Sequence, residues 1–550
     1  MATMVRSMAL EGIEGFPVEI EAAVIRGQQQ MISIIGLGDQ AVKESGERMQ
    51  AAMACYGYDL PKDKALISLA PGNRRKRGSH YDLGMTLALL AETDQIAAKD
   101  IDKYVFIGEL SLDGRIRSCP GVLSMITAAR QCGIKKAVVP VSNLSEARKI
   151  SGIESFGLST LQDAVRLLEG RGVSAGISDE VYEQNSGPGI ADFSEVKGQK
   201  DLLDAVILAA AGGHNLLMIG EPGCGKSMIA SRIPGILPEM TEEEALEVTR
   251  IQSIAGNLKP GEGLVRIRPF RAPHHNASLN ALIGGGTYAQ PGEVSLAHGG
   301  VLFLDELAEF SRSTLDALRQ PLENRKVTIS RVNGNHTYPA NFMFIAAMNP
   351  CPCGYYPNAR CKCTDYEMIH YRSKVSGPIL ERVDIQKWVR RVDYFDLNEK
   401  EADYTSAQMR QLVERARKIQ EERFRDEEGV YCNAQMSVAH IRKYCPLDAE
   451  CTAILKENCE KYGYSARVIH KLLRMARTAA DVRGSGKIEK EDIIKVLSCR
   501  ELDNTLGSDP FTEMLIINYR NVTPATGIEN IDKEQVMPYN SYIRIHPFTR

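Results

Sequence analysis

Apolar and polar positions along the first 168 residues predict a mixed α/β region. Short apolar runs are typical of buried strands, whereas apolar positions three or four residues apart are typical of helices. The predicted strands span residues 32–35, 65–69, 105–107 and 137–139. The predicted helices span residues 46–53, 83–91, 123–131 and 161–168. Because the two kinds of segment alternate, we expect an α/β domain at residues 1–168.

A second α/β region and a purely helical region follow along the chain. Residues 193–395 contain several short apolar runs, which predict a second sheet with its own helices. Residues 396–500 lack strand patterns. The helices predicted there span residues 402–424, 438–444, 449–462, 466–483 and 490–497. The overall expectation is an α/β fold that ends in a helical lid.

Two segments differ in composition from these three regions. Residues 169–192 are rich in Gly, Ser, Asp and Glu and poor in large apolar residues, which predicts a linker. Residues 501–550 show no clear period and carry several Pro, Asn and Gly residues. We therefore expect a tail there that is flexible or docks as an irregular arm.

The composition limits the classes of protein to be considered. The 550 residues suffice for about three domains, and 43% apolar with 25% charged residues is ordinary for a soluble protein. A net charge of -3 provides no overall field for nucleic acid, so such a site would have to be a local basic surface. Thirteen cysteines, without a secretory pattern or a long apolar run, favour a cytoplasmic protein that makes no membrane contact.

Residues 220–227 carry the strongest chemical signal in the chain. They fit the pattern G-x-x-x-x-G-K-[ST], between an apolar run and a segment that can continue as a helix. Lys226 is predicted to contact the β- and γ-phosphates, and Ser227 to bind Mg²⁺. The predicted nucleotide-binding residues are Gly220, Glu221, Pro222, Gly223, Cys224, Gly225, Lys226 and Ser227. The pattern predicts a nucleoside triphosphate, most simply ATP with Mg²⁺.

An acidic pair follows the apolar run Val301–Leu304. Asp305 and Glu306 would lie at the carboxyl edge of a parallel sheet, where α/β proteins bind ligands. Asp305 is suited to the Mg²⁺ shell, and Glu306 to orienting and deprotonating the attacking water. An adjacent acidic pair alone is usually a solvated loop, but its position after a buried strand favours ATP hydrolysis.

The order of these motifs, followed by helices, resembles the AAA+ ATPases. Asn349 follows the apolar run 345–348 and matches the sensor that positions the water in that superfamily. Arg382 matches the arginine finger, and Arg467, which opens a helix, matches the second sensor. The alternative for either arginine is a surface ion pair. The resemblance implies a ring, most simply a homo-hexamer, in which each finger completes the neighbouring nucleotide site.

Finer motifs resemble the YifB/ComM group of magnesium-chelatase-like AAA+ proteins. They include RIRPFRAPHH at residues 266–275 and NPCPCG at residues 349–354. Residues 326–338 alternate around Asn333-Gly334, which predicts a hairpin, and in related motors such an insert and hairpin project into the pore. The resemblance implies a helicase or branch-migration motor in the recombination of incoming DNA. Recombination proteins are further candidate partners.

Five basic residues are predicted to line the pore and contact the DNA backbone. They are Arg266, Arg268, Arg271, Lys326 and Arg331. The alternative is that these side chains hold nucleotide or pair at subunit boundaries. DNA as the substrate therefore depends mainly on the resemblance and on this local basic set.

Four cysteines follow Asn349 within a short segment. Cys351, Cys353, Cys361 and Cys363 form two close pairs that could bind structural Zn²⁺ tetrahedrally. Free or redox-active thiols are the alternative.

The segment 104–140 resembles the proteolytic domain of Lon, but the residues needed for proteolysis are missing. Aligned on the Lon nucleophile segment, His80 occupies the serine position, and Met125 occupies the lysine position. Nearby Ser79 has no matching base. The resemblance therefore implies the fold without the peptidase activity, used for assembly or for contacting substrate.

Two other functions remain open from the sequence. Kinship with the chelatases suggests a motor that drives metal insertion into a tetrapyrrole through another subunit. The other is a nucleotide-gated scaffold that recruits recombination proteins.

Overall fold

The computed structural model describes residues 2–26, 30–171, 189–259, 263–286, 289–331, 334–392, 401–427 and 429–501, without the side chains of residues 331 and 334. Most of the predicted linker and nearly all of the predicted tail therefore lie outside the described residues. The extents predicted for the domains stay predictions.

Residues 2–171 form a seven-stranded mixed sheet with helices. The strands are β1 (Thr3–Glu11), β2 (Glu14–Ile25), β3 (Ile32–Ile35), β4 (Lys64–Ala70), β5 (Tyr104–Phe106), β6 (Glu109–Leu110), β7 (Ile116–Arg117), β8 (Lys136–Pro140) and β9 (Glu154–Leu158). The sheet order is β3-β4-β2-β1-β5-β8-β9, and β6 pairs with β7 separately. The helices are Gln40–Cys55, Asp82–Glu92, Val122–Gln131, Leu144–Ala147 and Leu161–Leu168. The predicted α/β class is confirmed.

The long hairpin of β1 and β2 is absent from the predicted elements. Phe16, Val18 and Ile20 are buried and alternate with exposed residues, which is the ordinary pattern of a half-buried strand. Pro17, inside the run, weakens that pattern because proline cannot donate a hydrogen bond to a neighbouring strand. The hairpin lies in the middle of the sheet, so the prediction misses two of its central strands.

The second sheet contains five parallel strands. Residues 216–389 contribute β10 (Leu216–Gly220), β11 (Phe270–Arg271), β12 (Gly284–Gly285), β13 (Gln290–Pro291), β14 (Val301–Leu304), β15 (Lys326–Arg331), β16 (Gly334–Pro339), β17 (Met343–Met348) and β18 (Ile385–Val389). The order of the five is β11-β14-β17-β10-β18, while β15 and β16 form the predicted hairpin. The direction of strand order changes at β10, so its carboxyl end is the expected ligand site.

Helices flank this sheet and continue into the lid. Around the sheet they are Lys200–Gly212, Lys226–Arg232, Glu242–Ile254, Leu279–Ile283, Glu293–Leu296, Arg312–Ala317, Arg319–Asn324, Asp365–Ser373 and Gly377–Leu380. In the lid they are Ser406–Phe424, Val438–Tyr444, Ala449–Tyr462, Ala466–Arg483 and Lys490–Leu497. Four lid helices have the predicted bounds. The fifth was predicted to begin at residue 402 but begins at Ser406, because Thr405 and Gln408 form a capping box. None of the helices that the structure describes is both long and apolar enough to span a bilayer.

The helix Glu242–Ile254 of the second α/β region contacts the first α/β region. Arg250 donates hydrogen bonds to the carbonyl oxygen of Ile13 (2.9 Å) and to Ser124 Oγ (3.2 Å). Ser253 Oγ donates to a carboxylate oxygen of buried Glu146 at 3.0 Å. Burial raises the pKa of Glu146, so this carboxyl depends on its hydrogen bonds. The seam between the two sheets is therefore partly polar and buried.

Candidate active site

The phosphate loop joins β10 to the helix Lys226–Arg232, as the sequence pattern requires. Gly223 and Gly225 have φ angles of +77° and +91°, which residues with side chains rarely adopt. Lys226 Nζ donates to the carbonyl oxygens of Gly220 (2.7 Å) and Glu221 (3.0 Å). The lysine thus lies folded against the loop, from which it can turn to a phosphate.

The predicted Mg²⁺ ligands are in direct contact. Ser227 Oγ donates to Asp305 Oδ2 at 2.5 Å, across the edge where β10 and β14 end. A hydroxyl and a carboxylate are hard oxygen ligands of the kind that Mg²⁺ takes together with phosphates and waters. Ser227 and Asp305 therefore fit the ion, and they would hold it next to the β- and γ-phosphates.

Glu306 has a strained backbone and an exposed carboxylate. Its φ of +51° is unusual for a residue with a side chain, and such strain is found mainly at functional sites. The carboxylate is 51% exposed and lies 3.0 Å from Nδ1 of His275. The side chain can therefore reach a water molecule while His275 restrains it.

His275 is a further candidate site residue, outside the catalytic set predicted from the sequence. It follows β11, at the far edge of the sheet, and reaches Glu306 only because β11 lies beside β14. The sequence signal for this residue is its position at the end of the RIRPFRAPHH motif. This contact places His275 where it can orient the Glu306 carboxylate.

Asn349 lies directly after β17, between the ends of β14 and β10. Its Oδ1 accepts a hydrogen bond from Lys226 Nζ at 3.2 Å. The amide therefore contacts the phosphate-binding lysine, which is the place expected of a group that senses the γ-phosphate. The structure brings together five predicted residues: Lys226, Ser227, Asp305, Glu306 and Asn349.

Arg382 lies at the other end of the sheet. Its carbonyl oxygen accepts from the side chain of Asn215, which precedes β10, whereas Lys226 follows the end of β10. A five-residue strand is roughly 16 Å long, so Arg382 is far from the phosphate loop of its own chain. Its guanidinium pairs with Glu323 at 2.5 Å and is 11% exposed.

Arg467 shares this carboxylate. It contacts Glu323 and also Glu381, the latter at 3.4 Å, from the first turn of the helix Ala466–Arg483. Hydrogen bonds from Arg382 and Arg467 lower the pKa of Glu323. The structure therefore brings the two predicted arginines together, and it keeps both away from the chain's own phosphate loop.

Arg268, one of the five predicted DNA contacts, is bound inside the protein. Its guanidinium donates to the carbonyl oxygens of Pro238 (2.6 Å) and Gly299 (2.7 Å) and to the carboxylate of Glu244 (3.1 Å). The side chain is only 14% exposed. These bonds stabilise the fold around the insert and leave few donors for DNA.

The other four basic residues differ in how available they are. Arg271 makes a bidentate pair with Glu293, with N–O distances of 2.5 and 2.7 Å, so the Glu293 carboxylate largely neutralises its charge. Arg266 is half-exposed with a weak contact at 3.9 Å, and Lys326 is exposed at the base of the β15–β16 hairpin. The Arg331 side chain, near the hairpin tip, lies outside the described residues.

The four cysteines after Asn349 form one cluster. Cys351 Sγ lies 3.4 Å from Cys353 Sγ and 3.7 Å from Cys361 Sγ. All four sulfur atoms, including that of Cys363, lie within 4.8 Å of one another. Tetrahedral Zn²⁺ with bonds of about 2.3 Å requires sulfur atoms about 3.8 Å apart. The donor set therefore fits Zn²⁺, with the four thiolates as ligands.

The cysteine segment contacts the phosphate loop. Gly354, with φ of +83°, lies so close to Pro222 that an added Cβ would be 2.8 Å from the proline ring. Backbone hydrogen bonds at Tyr355 and Lys362 lower the pKa of the Cys353 thiol to about 6. The lowered pKa favours the thiolate, which is the form that binds a metal.

The residues at the Lon-like positions make structural contacts. Burial lowers the pKa of His80 to about 4, and its Nε2 lies 2.9 Å from the carbonyl oxygen of Met8. Met125 is fully buried, and Ser79 hydrogen-bonds to Glu109. The two positions thus hold a neutral histidine and a methionine, which cannot act as a nucleophile and its base.

Comparison with protein families assigns all three regions to one type of protein. The family described as "Subunit ChlI of Mg-chelatase" matches residues 20–143, and "Magnesium chelatase, subunit ChlI" matches residues 192–397. "Magnesium chelatase, subunit ChlI C-terminal" matches residues 403–500.

Similar proteins cover nearly the whole chain. "Uncharacterized protein YifB" of Escherichia coli is 38% identical over 505 residues, which are 92% of this chain and 98% of that protein. "Competence protein ComM" of Haemophilus influenzae is 36% identical, over 91% of this chain and 97% of its own. "DNA replication licensing factor mcm7-A" of Xenopus laevis is 20% identical over 64% of this chain and 49% of its own. The chain belongs to the YifB/ComM family of magnesium-chelatase-like AAA+ proteins.

Proposed function

We propose that this protein is a Mg²⁺-dependent ATPase that works as a ring, most simply a homo-hexamer, and moves DNA through its pore. The observation that carries the proposal is the contact of Ser227 with Asp305 beside Lys226 and Glu306. When bound, Mg²⁺ neutralises developing charge on the phosphates. Lys226 and Asn349 orient the γ-phosphate, and Glu306 takes the proton of the attacking water.

The position of two arginines supports assembly into a ring. Arg382 and Arg467 share Glu323 at the sheet end opposite the chain's own phosphate loop. They would therefore act on the nucleotide of a neighbouring subunit, and both on the same nucleotide. Nε of Arg382 is buried without a partner among the described residues, so one donor of this guanidinium is unused within the single chain.

DNA is proposed as the substrate, with a role in the recombination of incoming DNA. The relatives named for competence and for DNA replication support it, as do exposed Arg266 and Lys326. Arg331 at the hairpin tip stays a predicted contact, whereas Arg268 and Arg271 are better explained by their internal partners. We place the motor in the cytoplasm, with recombination proteins as candidate partners.

Forked DNA is expected to stimulate ATP hydrolysis and to be unwound. Phosphate release and strand displacement would be measured with and without DNA, using Lys226→Ala as the inactive control. DNA binding without displacement would favour the scaffold, in which hydrolysis only resets an assembly. Indifference of hydrolysis to DNA would favour the chelatase-type motor and would contradict the proposal.

Purified protein is expected to contain about one Zn²⁺ per chain, because four thiols at tetrahedral spacing bind this ion tightly. Metal content would be measured after purification under reducing conditions. The double substitution Cys351→Ser with Cys361→Ser should remove the zinc and lower the melting temperature. The control is Cys132→Ser, at an exposed cysteine of the first α/β region. Wild-type protein without zinc would contradict the metal site.

The first α/β region is proposed to serve assembly or substrate contact without peptidase activity. We keep residues 1–168, 193–395 and 396–500 as the proposed domains, with 169–192 as the linker and 501–550 as the tail.

A further inference from the structure

The cysteine cluster carries an exposed surface of aromatic and basic side chains. We call it the knuckle surface and define it by Tyr355, Arg360, Lys362, Tyr366, Ile369 and His370. Tyr366 is 78% exposed and Ile369 is 45% exposed. The rings of Tyr366 and His370 are nearly parallel, at 11°, with centroids 6.2 Å apart. Large apolar side chains grouped at a surface usually mark a binding site.

The basic side chains of this segment fall into two groups. Arg372 and Lys374 turn inward: Arg372 donates to the carbonyl oxygen of Pro350 at 3.1 Å, and Lys374 lies 3.5 Å from Glu309. Arg360 and Lys362 are exposed, and neither side chain pairs with any residue in the described part of the chain. The inward pair holds the segment on the core, and the outward pair leaves two charges in solvent.

The scaffold beneath the knuckle surface is well fixed. The helix Asp365–Ser373, which carries Tyr366, begins with a capping box between Thr364 and Glu367. The four cysteines precede this helix in the sequence, and Cys363 lies two residues before its first residue. Tyr366 is therefore presented on an ordered element, and its ring can stack on a ligand at little entropic cost.

We infer that the knuckle surface is a second nucleic-acid site, specific for unpaired strands. The inference rests on the proposed function. Exposed aromatic faces stack on bases, and unpaired cations beside them contact phosphates, which is the combination used for single strands. A duplex would satisfy Arg360 and Lys362 but would leave the Tyr366 ring without a base to stack on.

Two other roles would use some of the same residues. A Zn²⁺ bound by four thiolates carries a net charge of about -2, which Arg360 and Lys362 could balance. That role explains the cations but leaves the exposed rings of Tyr355 and Tyr366 unexplained. A second copy of the chain could instead cover the rings, and this alternative is an outcome of the test below.

The position of the surface would link strand binding to the nucleotide. Gly354 lies against Pro222 of the phosphate loop, and Asn349 contacts Lys226. Tyr355 of the knuckle surface directly follows Gly354. The helix that carries Tyr366 is joined to the same segment by the hydrogen bond from Arg372 to the Pro350 carbonyl oxygen. A strand bound there would thus act beside the site of ATP hydrolysis.

Tyr366→Ala in the full-length protein is expected to weaken binding of a fluorescein-labelled 30-nucleotide oligo(dT) by at least about fivefold, since a base stacked on an aromatic ring contributes strongly. Anisotropy would be measured with a non-hydrolysable ATP analogue, with oligo(rU) as a parallel probe. Tyr366→Phe should bind as the wild type does. Tyr431→Ala, at a lid residue that is 69% exposed, is the matched control.

The double substitution Arg360→Ala with Lys362→Ala tests the charges separately. Each phosphate contact with a single strand contributes about 0.7 to the slope of log affinity against log salt, so the slope should fall by about 1.4. An unchanged slope would overturn the assignment of both cations. Zinc content and native mass would be measured for every variant.

The outcomes separate this inference from the proposed function. Wild-type protein that binds neither probe contradicts the DNA motor itself. Wild-type binding with unchanged affinity in Tyr366→Ala overturns only the knuckle surface. A third outcome is that Tyr366→Ala changes the native mass and that affinity falls only in preparations with the changed mass. The surface then packs against a second copy of the chain, and the inference is also overturned.

Discussion

Glu306→Gln is expected to lower kcat for ATP hydrolysis by about 10²–10⁴ while ATP still binds. Glutamine keeps the size of the side chain and can still contact His275, but it cannot accept the proton of the attacking water. The phosphates and Mg²⁺ would be held by Lys226, Ser227 and Asp305, which the substitution leaves in place. Phosphate release and binding of a fluorescent ATP analogue would be measured on the same preparation.

Glu309→Gln is the matched control for this substitution. Glu309 lies three residues further along, is 42% exposed and pairs with Lys374. Its substitution should leave turnover near the wild-type rate. Wild-type turnover in Glu306→Gln would show that another group activates the water, whereas loss of ATP binding would assign Glu306 to the nucleotide pocket itself.

Arg382→Ala is expected to reduce turnover by about 10³–10⁵, the usual contribution of an arginine finger. Because Arg382 lies far from its own phosphate loop, the loss should appear at the neighbouring site of the ring. Arg382→Ala mixed with Glu306→Gln, each inactive alone, should therefore regain part of the turnover, because some interfaces in the mixed rings combine an intact Glu306 with an intact Arg382 from the neighbouring chain. Mixed rings would be assayed by phosphate release at constant total protein.

Glu323→Gln separates this catalytic effect from a structural one. It removes the carboxylate that pairs with Arg382 and Arg467 but keeps both guanidinium groups. If the ion pair merely stabilises the fold, the two substitutions should lower the melting temperature and the activity together. A loss of turnover confined to Arg382→Ala supports the finger. Mixed rings of Arg382→Ala and Glu306→Gln that stay inactive would instead place the action of Arg382 within its own subunit.

The parts that were predicted well depend on neighbours in the sequence. Four lid helices have the predicted bounds because capping residues such as Ser437, Asp448 and Ser465 act within one turn. The phosphate loop is also local, since its glycines, lysine and serine lie within eight residues. The positions of Asp305 and Asn349 at the ends of β14 and β17 could be predicted because strands buried on both faces are continuous apolar runs.

The parts that were missed depend on contacts between distant segments. The hairpin of β1 and β2 is an exception, because its two strands pair with each other locally and the buried residues of β2 alternate along the sequence, although Pro17 weakens that pattern. His275 reaches Glu306 only across neighbouring strands. Arg268 resembles its neighbours Arg266 and Arg271 in sequence, and only the carbonyl groups around it show that it serves the fold. A basic residue alone does not reveal which partner neutralises it.

The polar seam along Glu242–Ile254 has a consequence for how this protein can evolve. Arg250 and Ser253 belong to the second α/β region, whereas Ile13, Ser124 and Glu146 belong to the first α/β region. Substitution of a residue on one side would leave a charged or hydroxyl group on the other side without its hydrogen-bond partner. A compensating substitution would have to arise more than a hundred codons away in the gene. The two halves should thus be inherited and modified as a pair, and exchange of one half between distant lineages should be disfavoured.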